Sequence, residues 1–407
     1  METAQLRPLS GFNDRLDATR PWIINQLAAV FRSFGYQALD SPIIERQEIL
    51  LNKLGSEGQK QLYLFEDNGG RLVGLRYDLT VPLARYVAGN LGKLTLPFKR
   101  YEIAPAFRAE KPQRGRGRQF TQADIDIVGE ATLGAEKEIL EVIRAVEQRL
   151  GQDWTVLIND RRLIGQFLIG CGVPKDKLTP SVMILDKKGK MSNEKLLTEL
   201  EAIVGSVAIP KLSLLMKDDL TLQDLAVESS LKEPVAELVS FGRSINLTVK
   251  FSPSMVRGLE YYTGVIMELS GSGEMGSLGG GGRYDNLIAT FGVASTPAVG
   301  FSFGVDRLSE IVPAPNPPKL FIANIPSTEN ESREWAKKLR GLGWQVTFFL
   351  ESKGDLGRQI KYAASCDFTH VILPLEGHWE RGAVKKRDLT TGDEEIVLRT
   401  ELETNVG

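Results

Sequence analysis

A loop rich in arginine joins two segments that read as neighbouring strands, residues 97–108 and 119–129. Between Arg108 and Arg118 the sequence holds five basic residues against one acid, Glu110. Arg108 and Glu110 are two positions apart, so at a strand end their side chains point to the same face of the sheet. An arginine fork binds phosphate with two parallel hydrogen bonds, and a nearby carboxylate accepts from an amino group. The loop therefore indicates a site for a phosphate-bearing ligand, with a solvated hairpin tip as the alternative.

Four consecutive glycines, residues 279–282, lie in SLGGGGRYDNLIATFG, which follows MVRGLEYYTGVIMEL. A strand stripped of side chains indicates that a ligand or another backbone lies against it. The patterns GxxxxGK[ST] and GxGxxG are absent, so the run is neither a P-loop nor a Rossmann loop. We expect a substrate along this backbone, and close packing of two strands is the alternative.

Arg307 lies in a third segment, PAVGFSFGVDRLSEI, where alternating small residues run into an apparent junction of strand and helix. An exposed guanidinium plane at such a junction can stack on a nucleotide base. Alone this pattern does not identify a nucleotide site, and it supports one only together with the first two segments.

The composition narrows the classes of protein that can carry these segments. The 407 residues are 42% hydrophobic and 25% charged, which is ordinary for two or three globular domains. A net charge of −2 argues against a general DNA- or RNA-coating protein, although local basic clusters can still bind tRNA. Only His370 and His378 are available as histidine bases, and Cys171 and Cys366 are too far apart in sequence to suggest a disulfide framework or zinc site.

The sequence shows no pattern typical of a membrane or secreted protein. No apolar run approaches the roughly 18–20 residues of a membrane span. The N-terminus, METAQLRPLSGFNDRLD, has no apolar signal-peptide core. We therefore expect a cytoplasmic protein with neither membrane nor DNA as a partner.

Hydrophobic spacing predicts the elements that must position the three segments. Residues 18–35 and 134–150 have the spacing of amphipathic helices. From about residue 171 to 246, short charged helical patterns replace strand signals and predict a helical insertion. The proline-rich IVPAPNPPK reads as a linker, after which strands and helices alternate as in a small α/β domain with a mixed sheet. We expect two domains, residues 1–317 with the insertion at about 171–246, and residues 318–407.

Together the segments resemble the class II aminoacyl-tRNA synthetases. FGYQALDSPIIE is similar to their motif 1, FKRYEIAPAFRAEKPQRGRGRQFTQADIDIVG to motif 2 and VGFSFGVDRL to motif 3. MVRGLEYYTG and LGGGGRYD resemble the VRGLDYYTG and GGGRYD signatures of the histidyl-tRNA synthetase family, and LRYDLTVPLARYV resembles another of its elements. The two signatures are highly specific, and the resemblance spans nearly the whole chain.

This resemblance implies an α+β fold, with an antiparallel-sheet class II catalytic core, a helical insertion and a small α/β anticodon-binding domain. It implies a homodimer, because motif 1 in this class packs against its twin. It also implies an ATP-dependent ligase that activates L-histidine as histidyl-adenylate and transfers it to tRNA(His). Mg²⁺ would accompany ATP, through protein ligands that the sequence does not identify.

The resemblance also assigns residues to the ATP site. Arg108 corresponds to the motif 2 arginine on the α-phosphate, and Glu110 to the carboxylate near the adenine amino group. Arg307 corresponds to the motif 3 arginine that stacks on adenine. Arg257, in VRGLEYY, corresponds to a further arginine on the α-phosphate. Because no covalent enzyme intermediate forms, these groups would act by positioning and by neutralising charge.

The implied histidine pocket consists of polar side chains from three segments. Asp78 and Thr80 would bind the α-amino group with Gln122 close by, and Asp126 and two tyrosines would meet the imidazole. The full set is Asp78, Thr80, Gln122, Asp126, Arg257, Tyr261 and Tyr262. A pocket that hydrogen-bonds both ring nitrogens rejects apolar isosteres, because its own polar groups would be left unpaired.

The implied contacts to tRNA lie on the motif 2 loop and in the C-terminal domain. The residues for the acceptor end are Arg114, Arg116 and Arg118. The chain departs from the family pattern at Gly117 and Thr121, where aromatic residues are usual. Glu260 replaces an aspartate and Asn286 a glycine. The first two departures fall on motif 2 and bear on how the acceptor end is held.

Two other functions fit the same core. One is a synthetase-like regulatory subunit of ATP phosphoribosyltransferase, but such paralogues usually lose the C-terminal module and degrade the VRGLDYY region. The other is an adenylate-forming amide synthetase, which would not need an anticodon-type domain. Both features are present here, which favours the ligase.

Overall fold

The computed structural model describes residues 7–52, 56–112, 117–188, 191–217, 220–253, 255–256, 261–271, 276–313, 319–351 and 355–404, with only the backbone of residues 56 and 57. The chain divides into two compact units, Met1–Ala314 and Pro315–Gly407.

The strands of the first unit are, in chain order, β1 (Gln37–Ala38), β2 (Ile44–Arg46), β3 (Leu64–Glu66), β4 (Leu72–Leu75), β5 (Phe98–Phe107), β6 (Gln119–Val128), β7 (Thr155–Asp160), β8 (Thr248–Phe251), β9 (Val265–Ser270), β10 (Ser277–Arg283) and β11 (Ala298–Gly304). Its helices are α1 (Thr19–Ser33), α2 (Gln47–Leu51), α3 (Ser56–Gln59), α4 (Thr80–Asn90), α5 (Gly134–Leu150), α6 (Arg161–Gly170), α7 (Leu178–Leu185), α8 (Asn193–Val204), α9 (Ile209–Leu212), α10 (Ser229–Ser244) and α11 (Val305–Ile311). Across the described ranges of both units, no helix has the length and apolar character needed to cross a membrane.

The described residues of the first unit form an eight-stranded sheet in the order β1-β5-β6-β11-β10-β9-β7-β8. Neighbours from β5 through β7 pair antiparallel. The outer pairs, β1 with β5 and β7 with β8, are parallel. This arrangement confirms the predicted α+β core. It also places β11, the latest of these strands in the chain, in the middle of the sheet.

The two faces of this sheet differ in character. On β6 every second residue from Ala123 to Ile127 is buried in an apolar core. Helix α1 adds Ile23 and Leu27 to this core, and α5 packs there as well. Because strand residues alternate between faces, Gln122 and the residues at 124 and 126 face the other side, where they line a cavity. One face therefore stabilises the unit and the other remains available for a ligand.

The helical insertion has its own apolar core, whose limits differ from the predicted 171–246. Leu163 and Leu168 of α6, before the predicted start, are buried in it together with residues of α7 and α8. Val235 and Leu238 of α10, inside the predicted range, are buried instead in the core beneath the large sheet. The two ends of the insertion therefore depend on which core each helix packs against. Local composition does not show this.

A small antiparallel sheet in the order β2-β4-β3 exposes large apolar side chains on both of its faces. The register puts Ile44 and Phe65 on one face, where they are 51% and 41% exposed. Leu64 and Leu72 lie on the opposite face with Glu45, which is buried and pairs with Arg85 at 2.7 Å. We call Ile44 and Phe65 the apolar sheet patch.

The second unit is a mixed sheet with short helices. Its elements are β12 (Lys319–Ile322), α12 (Glu329–Gly341), β13 (Gln345–Phe348), α13 (Leu356–Ser365), β14 (His370–Leu373), α14 (Glu376–Trp379), β15 (Ala383–Asp388), β16 (Glu394–Leu398) and α15 (Arg399–Leu402). The order is β13-β12-β14-β15-β16, with β12 parallel to both neighbours and the remaining pairs antiparallel. The basic run on β15 is paired across the hairpin, since Lys385 lies 2.8 Å from Glu394 and Lys386 lies 2.9 Å from Glu395.

Candidate active site

Three rows of residues cross β5, β6 and β11 on the cavity face of the large sheet. The rows are Ala104–Gln122–Gly304, Glu102–Asp124–Ser302 and Arg100–Asp126–Gly300. Two of the segments singled out in the sequence, the motif 2 strands and the strand before Arg307, therefore meet on one surface.

A cavity of about 1230 Å³ lies over these rows. That volume exceeds the range typical of a single small-ligand pocket, so two ligands fit side by side. Its lining includes the predicted residues Asp78, Thr80, Arg108, Glu110, Gln122, Asp126, Tyr261, Tyr262 and Arg307. Residues separated by more than two hundred positions in the chain are thus brought together.

Some predicted residues lie outside the described part of the chain. They are Arg114, Arg116, Arg257 and Glu260. Their assigned roles stay predictions. Arg118 is described, and it is not part of the cavity lining. Its Nε donates to the carbonyl of Glu110 at 3.1 Å and its Nη1 donates to the carbonyl of Ser10 at 3.2 Å.

Arg108 follows β5 directly and is fixed at the cavity wall. Its Nε donates to the carbonyl of Tyr77 at 3.0 Å. Its guanidinium lies over the ring of Phe120, 5.1 Å from the centroid, in a cation–π contact. A guanidinium held this way keeps its position before a ligand arrives, as electrostatic stabilisation of a phosphate requires.

Arg307 occupies the first turn of α11, immediately after β11, as the sequence predicted. Its Nη1 donates to the carbonyl of Ser277 on β10. The preceding residue, Asp306, forms ion pairs with Arg15 and Arg20. It also accepts from the backbone N–H of Thr121 at 3.1 Å.

The two departures on motif 2 coincide with contacts from the N-terminal segment. Arg20 donates to the hydroxyl of Thr121, so the small side chain leaves room for this arginine. Gly117 packs against the backbone of Gly11, whose carbonyl would lie 3.0 Å from a Cβ at position 117. A larger residue at either position would displace the N-terminal segment.

Oxygen acceptors without partners face one end of the cavity. Asp78 accepts from the backbone N–H of Val81 at 3.0 Å through Oδ1, whereas Oδ2 has no partner among the described residues. Burial raises the pKa of Asp78 to about 6. The amide of Gln122 donates to Ser302 Oγ at 2.8 Å, and its Oε1 likewise has no partner in the described residues. This end is therefore suited to a ligand that donates hydrogen bonds.

Asp126 is already engaged within the protein. Its Oδ1 accepts from the hydroxyl of Tyr284, and its Oδ2 lies 3.0 Å from Nη2 of Arg100 in an ion pair that lacks hydrogen-bond alignment. Arg100 is fully buried and also lies near Glu102, which pairs with Arg76 at 2.9 Å. Burial raises the pKa of Asp126, and the positive charge of Arg100 opposes that rise.

Aromatic rings form the side of the cavity next to these carboxyl groups. The ring centroids of Tyr261 and Tyr262 are 4.9 Å apart, and Tyr284 lies 5.9 Å from Tyr261. Burial raises the pKa of Tyr261 well above its usual value, so its hydroxyl stays protonated. The rings supply an apolar wall with polar tips, which is suited to a planar ligand group.

The four-glycine strand proves to be in part a packing feature. A Cβ at Gly281 would lie 2.0 Å from the carbonyl of Gly300, and one at Gly279 would lie 2.7 Å from that of Ser302. At those two positions the close-packing interpretation holds. Gly279 and Gly280 also border the cavity, so the predicted substrate contact with the strand stays a prediction.

The sequence reasoning missed several functional candidates. Asp124 lines the cavity between two predicted residues, and the alternation in TQADID was a signal that pointed to it. Asp186 and Lys188 of the insertion also line the cavity, with no local signal. Asn159 is buried and donates to the carbonyls of Ser252 and Met255 at 2.8 and 3.0 Å, which fixes the chain that leads into VRGLEYY.

The chain is similar to known proteins along nearly its whole length. Residues 13–308 match the family described as histidyl-tRNA synthetase. The histidine–tRNA ligase of Rhodopirellula baltica is 37% identical over 423 aligned positions, which cover 97% of this chain and 95% of that protein.

Solved structures resemble the fold. Histidyl-tRNA synthetase from Nostoc sp. PCC 7120 superposes with a TM-score of 0.82 at 24% identity, covering 97% of this chain and 98% of its own. An ATP phosphoribosyltransferase regulatory subunit/histidyl-tRNA synthetase from Bacillus halodurans C gives 0.74 at 22% identity, covering 90% of this chain and 97% of its own. At these identities the likeness concerns the architecture alone.

Proposed function

This chain belongs to the histidyl-tRNA synthetase family, and from that premise we propose that it is a cytoplasmic histidine–tRNA ligase. It activates L-histidine with ATP to histidyl-adenylate and transfers the histidyl group to tRNA(His). The observation that carries this proposal is the combination of side chains in one cavity lining. The lining contains the guanidinium groups of Arg108 and Arg307 together with oxygens of Asp78 and Gln122 that have no partner among the described residues.

The oxygens of Asp78 and Gln122 are matched to the amino acid. An α-ammonium group has three N–H donors and a positive charge, which Asp78, Thr80 and Gln122 would receive. The imidazole would lie toward Asp126, Tyr261 and Tyr262. An apolar side chain of similar size would leave the acceptors here unpaired, which disfavours its binding by a large factor.

The two arginines of the cavity lining are matched to ATP. Arg108 would bind the α-phosphate, Arg307 would stack on adenine, and Glu110 would accept from the adenine amino group. The histidine carboxylate forms a bond to the α-phosphorus as the bond to the β-bridging oxygen breaks, and pyrophosphate leaves with the electron pair. Arg257, which the resemblance of VRGLEYY to the family signature assigns to the same phosphorus, would neutralise the charge that develops there.

Mg²⁺ is expected with ATP rather than in a protein cage. Within the described ranges, no group of three His, Cys, Asp or Glu side chains is arranged to hold a metal ion. Mg²⁺ commonly binds through substrate phosphates and one or two carboxylates. A carboxylate such as Glu268 in the cavity lining fits that mode, in which the ion screens the β- and γ-phosphates.

Transfer to tRNA requires two further surfaces. The terminal ribose hydroxyl attacks the adenylate carbonyl and AMP leaves, so the acceptor end must reach the cavity. Arg114, Arg116 and Arg118 on the motif 2 loop are assigned to that end by the resemblance, although Arg118 already binds two backbone carbonyls. The second unit, Pro315–Gly407, would bind the anticodon.

The active protein is a homodimer in this proposal. The apolar pattern at 22–34 together with SPIIE predicts a self-complementary surface. In α1, however, the apolar residues Ile23, Leu27 and Phe31 are buried in the core of the same chain. The apolar sheet patch includes Ile44 of the SPIIE segment and is exposed. A cluster of exposed large apolar residues usually marks an interaction surface, and a second copy presents the same patch about a two-fold axis.

The regulatory-subunit alternative shares this fold. It requires a histidine site but no catalysis, and it does not explain a fixed Arg108 and Arg307 facing the same cavity. A histidine-dependent exchange of pyrophosphate into ATP, followed by charging of total tRNA with labelled histidine, tests the proposal. Exchange without charging would favour a free-standing paralogue, and the absence of both activities would favour the regulatory subunit.

A further inference from the structure

Asp306, the residue before Arg307, is bound by two arginines of the N-terminal segment. Its side chain is 8% exposed and pairs with Nη1 of Arg15 and with Nε of Arg20, the latter at 3.2 Å. Its Oδ2 accepts from the backbone N–H of Thr121 at 3.1 Å. The proposed function gives neither of the two arginines a role, although the carboxylate that they share borders the cavity.

The guanidinium of Arg20 joins a helix to a strand. Its Nε binds Asp306 in α11, while its Nη2 donates to the hydroxyl of Thr121 on β6. Thr121 is 3% exposed, so this contact is shielded from water. A guanidinium is planar and its N–H donors form a rigid fork, so two acceptors bound by one guanidinium are held at a set separation. A lysine ammonium would supply the charge without this fixed geometry.

Arg20 reaches these two acceptors from a fixed support. It is the second residue of α1, whose residues Ile23 and Leu27 are buried in the core beneath the large sheet. The backbone N–H of Arg20 donates to Oδ1 of Asp17 at 2.7 Å, just before the helix. The side chain therefore extends from an anchored helix rather than from a free chain end.

The two elements joined in this way carry both arginines that are proposed to bind ATP. Arg307 follows Asp306 in the first turn of α11. Phe120, the neighbour of Thr121 on β6, supplies the ring over which the guanidinium of Arg108 lies. A change in the separation of β6 and α11 would therefore change the distance between the two guanidinium groups.

Backbone pairing does not reach this part of the molecule. Within the described ranges, the register of β6 with β11 ends at the pair Gln122 and Gly304. Phe120 and Thr121 lie beyond that pair on one side, and α11 begins beyond it on the other. The bridge through Arg20 therefore continues the connection of the two elements past the end of the ladder.

We propose that Arg20 is a positioning residue for ATP, which holds Arg307 and Arg108 at the separation that the nucleotide requires. This inference rests on the proposed function and adds to it a residue that contacts neither substrate. A displacement of about 1 Å in a group that positions a substrate can lower the rate about 100-fold. Arg15 supplies charge to Asp306 without the bridge to β6, so its loss should have a smaller effect.

The test compares Arg20→Ala, Arg20→Lys and Arg15→Ala in the full-length protein, by calorimetric titration with Mg·ATP and by histidine-dependent pyrophosphate exchange. Arg20→Ala should raise the Kd and the KM for ATP about 10- to 100-fold, while the KM for histidine changes less than about threefold. Arg20→Lys should behave like Arg20→Ala, because it lacks the fork. Arg15→Ala should raise the Kd for ATP less than about threefold. Arg32→Ala, at the exposed end of the same helix, is the control and should match the wild type.

A double-mutant cycle tests whether Arg20 acts through the bridge. Thr121→Val replaces the hydroxyl with a methyl group and so removes one of the two acceptors. Alone it should raise the Kd for ATP, and combined with Arg20→Ala it should add less than about twofold, because both changes break the same contact. A Kd in the double variant equal to the product of the two single effects would overturn the inference.

Other outcomes also decide the matter. A Kd for ATP within about threefold of wild type in both Arg20 variants would overturn the inference, and so would an equal rise in Arg15→Ala and Arg20→Ala. Equal rises in the KM for ATP and the KM for histidine would show that Arg20 only stabilises the fold. If Arg20→Ala does not fold, Arg20→Lys and Thr121→Val provide the same comparison. A wild type that binds Mg·ATP without histidine-dependent exchange would contradict the proposed function instead, and the titrations would still measure the effect of Arg20.

Discussion

Burial of Asp78 limits the pH range over which the proposed pocket can bind histidine. In the proposed site Asp78, with its pKa raised to about 6 by burial, must be ionised to pair with the α-ammonium group. As pH falls through about 6 this carboxylate is protonated and binding weakens.

We therefore predict that the KM for histidine rises as the pH falls below about 6. The rise should approach tenfold per pH unit, because one proton must leave Asp78 on binding. Asp78→Asn, measured in parallel over about pH 5–8, should bind histidine more weakly throughout and lose this dependence. The same dependence below pH 6 in wild type and variant would contradict the assignment.

Arg257→Ala should nearly abolish adenylate formation without unfolding the protein. In the proposed reaction Arg257 is the fixed cation at the pentavalent phosphorus, and removing one such group typically lowers the rate on the order of 10²–10³-fold. Histidine-dependent pyrophosphate exchange measures the loss, and circular dichroism checks the fold. Near-normal exchange would contradict the role that the sequence resemblance assigns to Arg257.

For single residues, the sequence predicts which side chains line the cavity better than it predicts which atoms each side chain contacts. Arg108, Gln122 and Arg307 line the cavity because motif residues are placed by the strand ends that carry them. Asp124 was missed, although alternation from Gln122 puts it on the same face. The orientation of Arg118 could not be predicted, because it depends on the N-terminal segment, which contacts it from more than one hundred positions away.

At the scale of elements, the close approach of β6 and β11 depends on the absence of a side chain at Gly300. Gly300→Ala should place a Cβ against Oδ1 of Asp126 and disturb the ion pair with Arg100. We expect at least a tenfold rise in the KM for histidine and a lower Tm, since a buried clash typically destabilises by about 1–3 kcal/mol.

Gly89→Ala is the matched control for that substitution. Gly89 lies in α4 and a Cβ there would meet nothing within 4 Å. Alanine in a helix is favoured over glycine by about 0.5–1 kcal/mol, so this variant should be fully active and equally or more stable. Equal behaviour of the two variants would show that the packing of β6 against β11 is not critical.

Elements with strong local hydrophobic periodicity were predicted closely. The limits of the helical insertion differ from the predicted ones, because two hydrophobic cores lie next to each other there. The pattern at 134–150 matches α5 residue for residue. The pattern at 171–246 did not show that α10 packs under the large sheet while α6 packs with the insertion. Hydrophobic spacing identifies the buried side of a helix, but not which neighbouring core buries it.

At the scale of the whole molecule, the apolar sheet patch predicts the oligomeric state. Wild-type protein at micromolar concentration should sediment as about twice 45.0 kDa. Ile44→Asp combined with Phe65→Asp should shift it to the monomer, because two charges would be buried against an apolar partner. Val207→Asp, at a site 90% exposed in the insertion, is the control and should stay dimeric. A wild type that sediments only as a monomer would contradict the prediction.

The division of the chain predicts that the two reaction steps are separable. A protein ending at residue 317 should keep histidine-dependent pyrophosphate exchange, since every residue assigned to adenylate formation precedes that point. It should lose most tRNA charging, because remote binding energy helps place the reacting end. Sedimentation must first show the shortened protein to be folded and in the wild-type oligomeric state. Unchanged charging would then show that the second unit does not bind tRNA.

The central position of β11 has a consequence for how the protein is made. The ribosome synthesises this strand last among those of the large sheet, yet it must insert between β6 and β10. Until residue 304 has emerged from the exit tunnel, the nascent chain can hold only two separate half-sheets, each with an open edge. Open edges promote pairing with other chains, so the nascent chain is most prone to aggregation before β11 leaves the tunnel. A chaperone that shields these edges during this interval should therefore raise the yield of folded protein, and so should a slow stretch of codons placed after β11. Each should raise the yield more than the same intervention at an earlier point of synthesis.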